Sequence, residues 1–252
     1  IRDRSPSRGL GDVYKRQVIL CPGGAYRFTN DRESEPLACA FLAEGYHVFS
    51  LRYSTEKGIY PAALEQLART VRLIRQNAGE WHVRKDAIVI AGFSAGGHLA
   101  AEYACKWDRP ALSAVAEAER EELRPNALVL GYPVITAGAA AHEESIHNLL
   151  GAQDTPKMRR SVSLETQVSG CVPPVFLWHT ATDEMVNAEN SLLFASALAR
   201  EKIPYELHIY GTGVHGVSLG TRATVGEEKH VSHGCAGWFA QAARFLERVL
   251  PE

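Results

Sequence analysis

The chain has 252 residues, 46% of them hydrophobic, and a formal net charge of −2, which is enough for one large core, and α/β chains of this length commonly form a single domain. Its Lys/Arg and Asp/Glu residues are interspersed, so there is no basic stripe to suggest nucleic acid or an anionic membrane as partner. No apolar run approaches the roughly 18 residues that span a bilayer, and the five cysteines, at 21, 39, 105, 171 and 235, are odd in number and never in CxxC spacing, which argues against a disulfide framework and a zinc site.

Residues 1–17 are basic, rich in Gly, Ser and Pro, and without periodicity. Asp12-Val13-Tyr14-Lys15-Arg16-Gln17 is what GAT-GTG-TAT-AAG-AGA-CAG encodes, DNA that resembles the transposon end used in sequencing libraries. We read the segment as a translated adapter, a natural disordered tail being the alternative, and exclude it from fold reasoning. The remaining domain is expected over residues 18–252. Reduced thiols favour a cytoplasmic location, with a signal peptide left open because the true N-terminus lies outside the sequence.

From there strands and helices alternate. Apolar runs at 17–21, 46–51 and 87–91 read as strands, with helices at 33–44 and 61–77 between them. Asn30 with Glu33 reads as a capping box, and Pro61 suits a first helical position. The pattern resumes with strands at 127–130, 175–178 and 205–210 and helices at 188–201 and 237–250. A repeated βα unit implies a mostly parallel sheet with helices on both faces. Two segments break the rhythm as insertions after sheet strands. Residues 106–126 include an acidic, helix-like stretch at 117–123, and residues 137–172 are polar and irregular. Ligands in such sheets sit outside the carboxyl ends of the strands, so these insertions are candidate pocket walls.

Gly92-Phe93-Ser94-Ala95-Gly96 lies between the strand at 87–91 and a helical stretch at 97–105. A serine at the apex of such a turn is strained, and small neighbours tolerate the bend that exposes its hydroxyl. Serine is a weak nucleophile without a base, and the base in turn needs a carboxylate to orient it. Asp183 follows the strand at 175–178, and His215 lies between glycines after the strand at 205–210. Glu184 and Asp154 compete for the acid role, and His230 and His233 are the downstream rivals of His215. His98 within a helix, His208 within a strand and His179 before the acid fail on position. Oxyanion donors are expected from the Ala95 amide and from Gly24 and Ala25, in the Cys21-Pro22-Gly23-Gly24-Ala25-Tyr26 loop after the first strand. Tyr26, Phe28, Tyr132 and Trp178 lie near strand ends and are candidate pocket residues, a place in the core being the alternative.

These residues resemble the α/β-hydrolase superfamily, and within it the small esterases grouped with acetyl esterases, acetyl xylan esterases and hormone-sensitive-lipase-like enzymes. The resemblance rests on residues 22–26 in place of the HGGG-type loop, on residues 92–100, on residues 179–186 and on Val214-His215-Gly216, in the order serine, acid, histidine. Pro22 stands where the family's loop often has histidine, and Ala25 replaces its third glycine. The resemblance implies an α/β-hydrolase fold whose N-terminal edge strands are missing here. It also implies a serine esterase acting on short-acyl esters, with an acetylated carbohydrate as the substrate class. That chemistry needs no metal or organic cofactor and takes a small-molecule ester as partner. A small peptidase of the same superfamily and a non-catalytic, ligand-binding hydrolase fold are the other readings.

Overall fold

A computed structural model describes residues 14–224, 227–232 and 234–251. Its strands are β1 (Lys15–Cys21), β2 (His47–Ser50), β3 (Val83–Phe93), β4 (Ala127–Gly131), β5 (Val175–Thr180) and β6 (Tyr205–Tyr210). They form a six-stranded sheet in the order β2-β1-β3-β4-β5-β6. Every neighbouring pair is parallel. β4, β5 and the later parts of β1 and β3 read as continuous apolar runs because both faces are covered, whereas the edge strands β2 and β6 are only partly buried. Ile19, Ile88, Ile90, Leu128 and Leu130 point into one core. Val18, Leu20, Val89, Ala91 and Val129, one residue out of step, point into the other.

The first core is closed by α2 (Ala62–Gln76), α3 (Ala95–Lys106) and α7 (Glu189–Arg200), through side chains such as Leu67, Leu99 and Phe194. The second is closed by α1 (Glu35–Ala43) and α8 (Trp238–Val249), through Leu37, Phe41, Trp238 and Phe245. From β1 the chain moves one way to β2 and the other way to β3 and onward to β6. The topological switch point therefore lies between β1 and β3, where parallel sheets open a crevice at their carboxyl ends. The loop holding Gly23, Gly24 and Ala25 leaves β1 at that crevice, and Ser94 leaves β3 beside it.

Several elements differ from the sequence expectation. β1 begins at Lys15, where Lys15 pairs with Val83, so residues 15–17 of the segment read as leader belong to the sheet; residues 1–13 lie outside the described residues. Residues 137–172 are helical rather than irregular, with α5 (Glu143–Leu150), α6 (Pro156–Val162) and short 3-10 turns. Their polar faces meet solvent while Ile146, Leu149, Leu150 and Val162 are buried, and eight- and seven-residue helices are too short to show a clear period. The helix in the first insertion is α4 (Pro110–Ala116), which ends where Glu117 turns left-handed at φ 49°. The acidic stretch beyond it forms only a 3-10 turn, Arg120–Leu123.

Candidate active site

Ser94 sits at φ 54°, ψ −123° between β3 and α3, a backbone conformation costly for any residue with a side chain. The surroundings enforce it. A Cβ at Gly92 would lie 2.3 Å from the Gly96 carbonyl oxygen, and one at Gly96 would lie 2.0 Å from that of Cys21. Only glycines allow the helix, β3 and the β1 loop to close this tightly. The Ser94 amide donates to Gly131 O at 3.1 Å, which ties the turn to β4.

The Ser94 hydroxyl lies 2.7 Å from His215 Nε2, and His215 Nδ1 lies 2.7 Å from Asp183 Oδ2. An ionised carboxylate only accepts, so the proton belongs on Nδ1, and Nε2 is left to accept from the serine. Asp183 Oδ1 accepts the Met185 and Val186 amides at 3.0 and 2.9 Å. Burial works to raise the Asp183 pKa, but hydrogen bonds from His179 and His215 bring it well below the usual carboxylate range.

In sequence, His179 fails as the base because it precedes the acid. It is fully buried, its Nε2 donating to Val186 O at 2.9 Å and lying 3.3 Å from Asp183 Oδ2. Its place as the penultimate residue of β5, just before the loop, is the signal that could have found it.

The loop after β1 carries Ala25 at φ 54° and Tyr26 at φ 56°. Among the described residues, the amides of Gly24, Ala25 and Ala95 donate to no group of the chain, Ala95 because it is the first residue of a helix. Two braces hold this loop. Glu33 Oε2 accepts the Gly23 amide at 2.7 Å, and Asn148 Nδ2, from α5, donates to Ala25 O at 2.9 Å. Glu33 is thus not the second half of a capping box. The Asn30 side chain accepts the Arg32 amide, while the Glu33 carboxylate turns inward and takes the Tyr132 hydroxyl on Oε1 at 2.6 Å.

A cleft of about 610 Å³ opens over Ser94 and His215, walled by Gly24, Ala25, Phe28, Arg32, His142 and Met185 among others. Phe28, a candidate from sequence, is on this wall. Tyr26, Tyr132 and Trp178 are not: all three are buried in the cores, at 3%, 1% and 0% exposure. They support the site from behind. The Tyr26 hydroxyl donates to His98 Nδ1 at 2.8 Å, since His98 Nε2 must donate to the Val162 carbonyl. Tyr132 lays its ring edge-on to His215, with centroids 5.0 Å apart, while burial and Glu33 keep its hydroxyl protonated. Trp178 stacks on Trp238. An aromatic near a strand end turns toward core or cleft according to its parity on the pleat, which a one-residue error in strand register reverses.

Of the rivals, Asp154 is paired with Arg159, Glu184 is exposed on the cleft wall, and His230 lines the same cleft with its Nδ1 accepting the Glu227 amide at 3.0 Å. His233 lies outside the described residues. Among the described residues no group of three or more His, Cys, Asp or Glu side chains is arranged to hold a metal ion, and no helix is long and apolar enough to cross a membrane. All five cysteines are free.

An all-parallel sheet with a strained serine at its switch point is the architecture of the α/β-hydrolases, and comparison with known proteins shows which family of that superfamily the chain belongs to. It belongs to the BD-FAE family, whose profile matches residues 11–198. Carboxylesterase Cest-2923 from Lactobacillus plantarum superposes with a TM-score of 0.84 at 31% identity, covering 95% of this chain and 88% of that one. An acetyl ester-xyloside bifunctional hydrolase from Caldicellulosiruptor lactoaceticus gives 0.82 at 34% identity, covering 94% and 84%. Endo-1,4-beta-xylanase B of Butyrivibrio fibrisolvens is 36% identical over 212 residues, which is 82% of this chain and 33% of that protein. The chain spans between 33% and 45% of the length of the curated relatives it matches.

Proposed function

We propose that the protein hydrolyses short-acyl carboxylic esters of carbohydrates, acetyl esters foremost, through an acyl-enzyme on Ser94. The observation that carries this reading is the chain of Ser94 Oγ, His215 and Asp183, joined by two 2.7 Å hydrogen bonds, with Ser94 and His215 lining the cleft and Asp183 behind them. Ser94 Oγ attacks the ester carbonyl as its proton passes to His215 Nε2. The resulting imidazolium is stabilised by the Asp183 carboxylate, which His179 and two backbone amides keep in place. Negative charge developing on the carbonyl oxygen is met by the unspent amides of Gly24, Ala25 and Ala95. His215 then gives its proton to the departing alcohol, and water activated by the same imidazole releases the acid and restores Ser94.

The acetylated carbohydrate is supported by the acetyl ester-xyloside hydrolase among the structural neighbours. The xylanase bears on it less, since this chain matches only a third of that protein. The test is turnover of p-nitrophenyl acetate and of acetylated xylo-oligosaccharide by the wild type and by Ser94→Ala. The reading expects release of acetate from both substrates by the wild type and a fall of about 10⁴-fold or more in kcat in the variant. Hydrolysis that survives Ser94→Ala would exclude the acyl-enzyme.

A further inference from the structure

Arg32, in the 3-10 turn Asp31–Glu33, lines the cleft with Ser94 and His215. Its backbone is fully engaged: the amide donates to Asn30 Oδ1 at 3.1 Å and the carbonyl accepts the Ser218 hydroxyl at 2.7 Å. Its guanidinium is not. Nη1 is buried without a hydrogen-bond partner, and among the described residues the side chain makes no ion pair. A guanidinium is charged at any working pH and has five donors to place. Arg32 is half-buried, and keeping its charged Nη1–H donors from water with no acceptor costs free energy, so an orphan of this kind in a cleft points to an acceptor that the chain itself does not supply.

The neighbouring charges do not fill that role. Both oxygens of Glu33 are occupied, one by the Gly23 amide and one by the Tyr132 hydroxyl. Glu144 is paired with Arg27 at 3.3 Å. Glu184 is exposed on the loop after β5, where water solvates it. The place of the guanidinium is equally specific. A Cβ on Gly216 would lie 3.5 Å from Arg32 Nη2, so the group stands beside the residue that follows His215. In the proposed reaction His215 protonates the departing alcohol, and Arg32 is therefore on the leaving-group side of the cleft.

We infer that Arg32 is a subsite for a carboxylate carried by the alcohol portion of the substrate, which makes the preferred ester one of an acidic sugar of the uronic acid type. The inference deepens the ester-hydrolase reading and rests on it for the direction of the leaving group. A planar guanidinium matches a carboxylate with two parallel N–H···O bonds, a geometry that a lysine ammonium cannot reproduce.

The experiment is an equilibrium titration of the full chain with methyl glucuronide and with methyl glucoside, which differ in a carboxylate against a hydroxymethyl group. It is done on the wild type, Arg32→Gln and Arg32→Lys, with circular dichroism on each. The wild type is expected to bind the glucuronide at least about tenfold more tightly than the glucoside, by a margin that shrinks with added salt. The margin should vanish in Arg32→Gln and be reduced in Arg32→Lys. Equal binding of the two sugars by the wild type, absence of binding by either, or a margin unchanged in Arg32→Gln overturns the inference. If Arg32→Gln does not fold, the wild-type margin, its salt dependence and Arg32→Lys decide. In parallel, the ratio of kcat/KM for the acetylated glucuronide over the acetylated glucoside is expected to fall about tenfold in Arg32→Gln. Failure of the wild type to hydrolyse either ester counts against the ester-hydrolase reading, while the titration still reads the subsite.

Discussion

Glu33 joins two parts of the site that come from opposite halves of the chain. One oxygen of its buried carboxylate holds the Gly23 amide, and the other holds Tyr132, whose hydroxyl also accepts the Ser218 amide at 3.0 Å and whose ring flanks His215. A Cβ on Gly23 would lie 2.7 Å both from this carboxylate and from the Ser94 Cβ, so the loop has no room to find another position. Glu33→Gln replaces one acceptor by a donor that faces an N–H or an O–H. Losing a buried charged partner of this kind costs about 1–3 kcal/mol, and a misplaced oxyanion loop expresses it in the transition state more than in substrate binding. The expected outcome with p-nitrophenyl acetate is a drop in kcat of about 10- to 100-fold at nearly constant KM. An unchanged kcat in a folded variant would show that Asn148 alone holds the loop.

At the scale of elements, α3 does two jobs. Its first residue presents an unspent amide to the site, and every one of its residues is buried, down to Glu102 and Lys106. Those two form an ion pair one helical turn apart, to which Tyr60 donates from one side while Lys106 donates to Ser161 O in the second insertion. Burial opposes ionisation of Glu102, but Lys106 outweighs it and holds the carboxyl below its usual value. The pair thus ties α3 to α6. Breaking one side of a buried pair leaves the other charge uncompensated and costs about 3–5 kcal/mol, whereas an apolar replacement of both is close to neutral. Urea unfolding is expected to show Lys106→Met destabilised by that amount and Glu102→Leu/Lys106→Met recovering most of it. Additive losses in the double variant would mean that the two side chains act independently.

At the scale of the whole molecule, the fold was legible because a parallel sheet announces itself. Strands buried on both faces read as apolar runs, and the long helices between them are bounded by the loops, so β3, β4, β5 and the long helices lie within a few residues of their expected places, while β6, a half-buried edge strand, is found from its place in the alternation. That Ser94, Asp183 and His215 meet is legible for the same reason, each lying just beyond the carboxyl end of a parallel strand. What the chain order hides is contact at long range. That Glu33 would turn away from its own helix to reach Tyr132, 99 residues on, or that His179 would back Asp183, depends on side-chain directions that only the packed cores decide. The same dependence leaves Tyr26, Tyr132 and Trp178 open between cleft and core in the sequence, and gives no sign that Arg32 stands on the cleft wall.

The claim on which the rest depends is that Ser94 is an activated nucleophile, and intact mass spectrometry after treatment with a fluorophosphonate probe tests it most directly, on the wild type and on Ser94→Ala. The arrangement of Ser94, His215 and Asp183 predicts one adduct on the wild type and none on the variant. A folded wild type that takes no adduct, or an adduct that persists in Ser94→Ala, would contradict it.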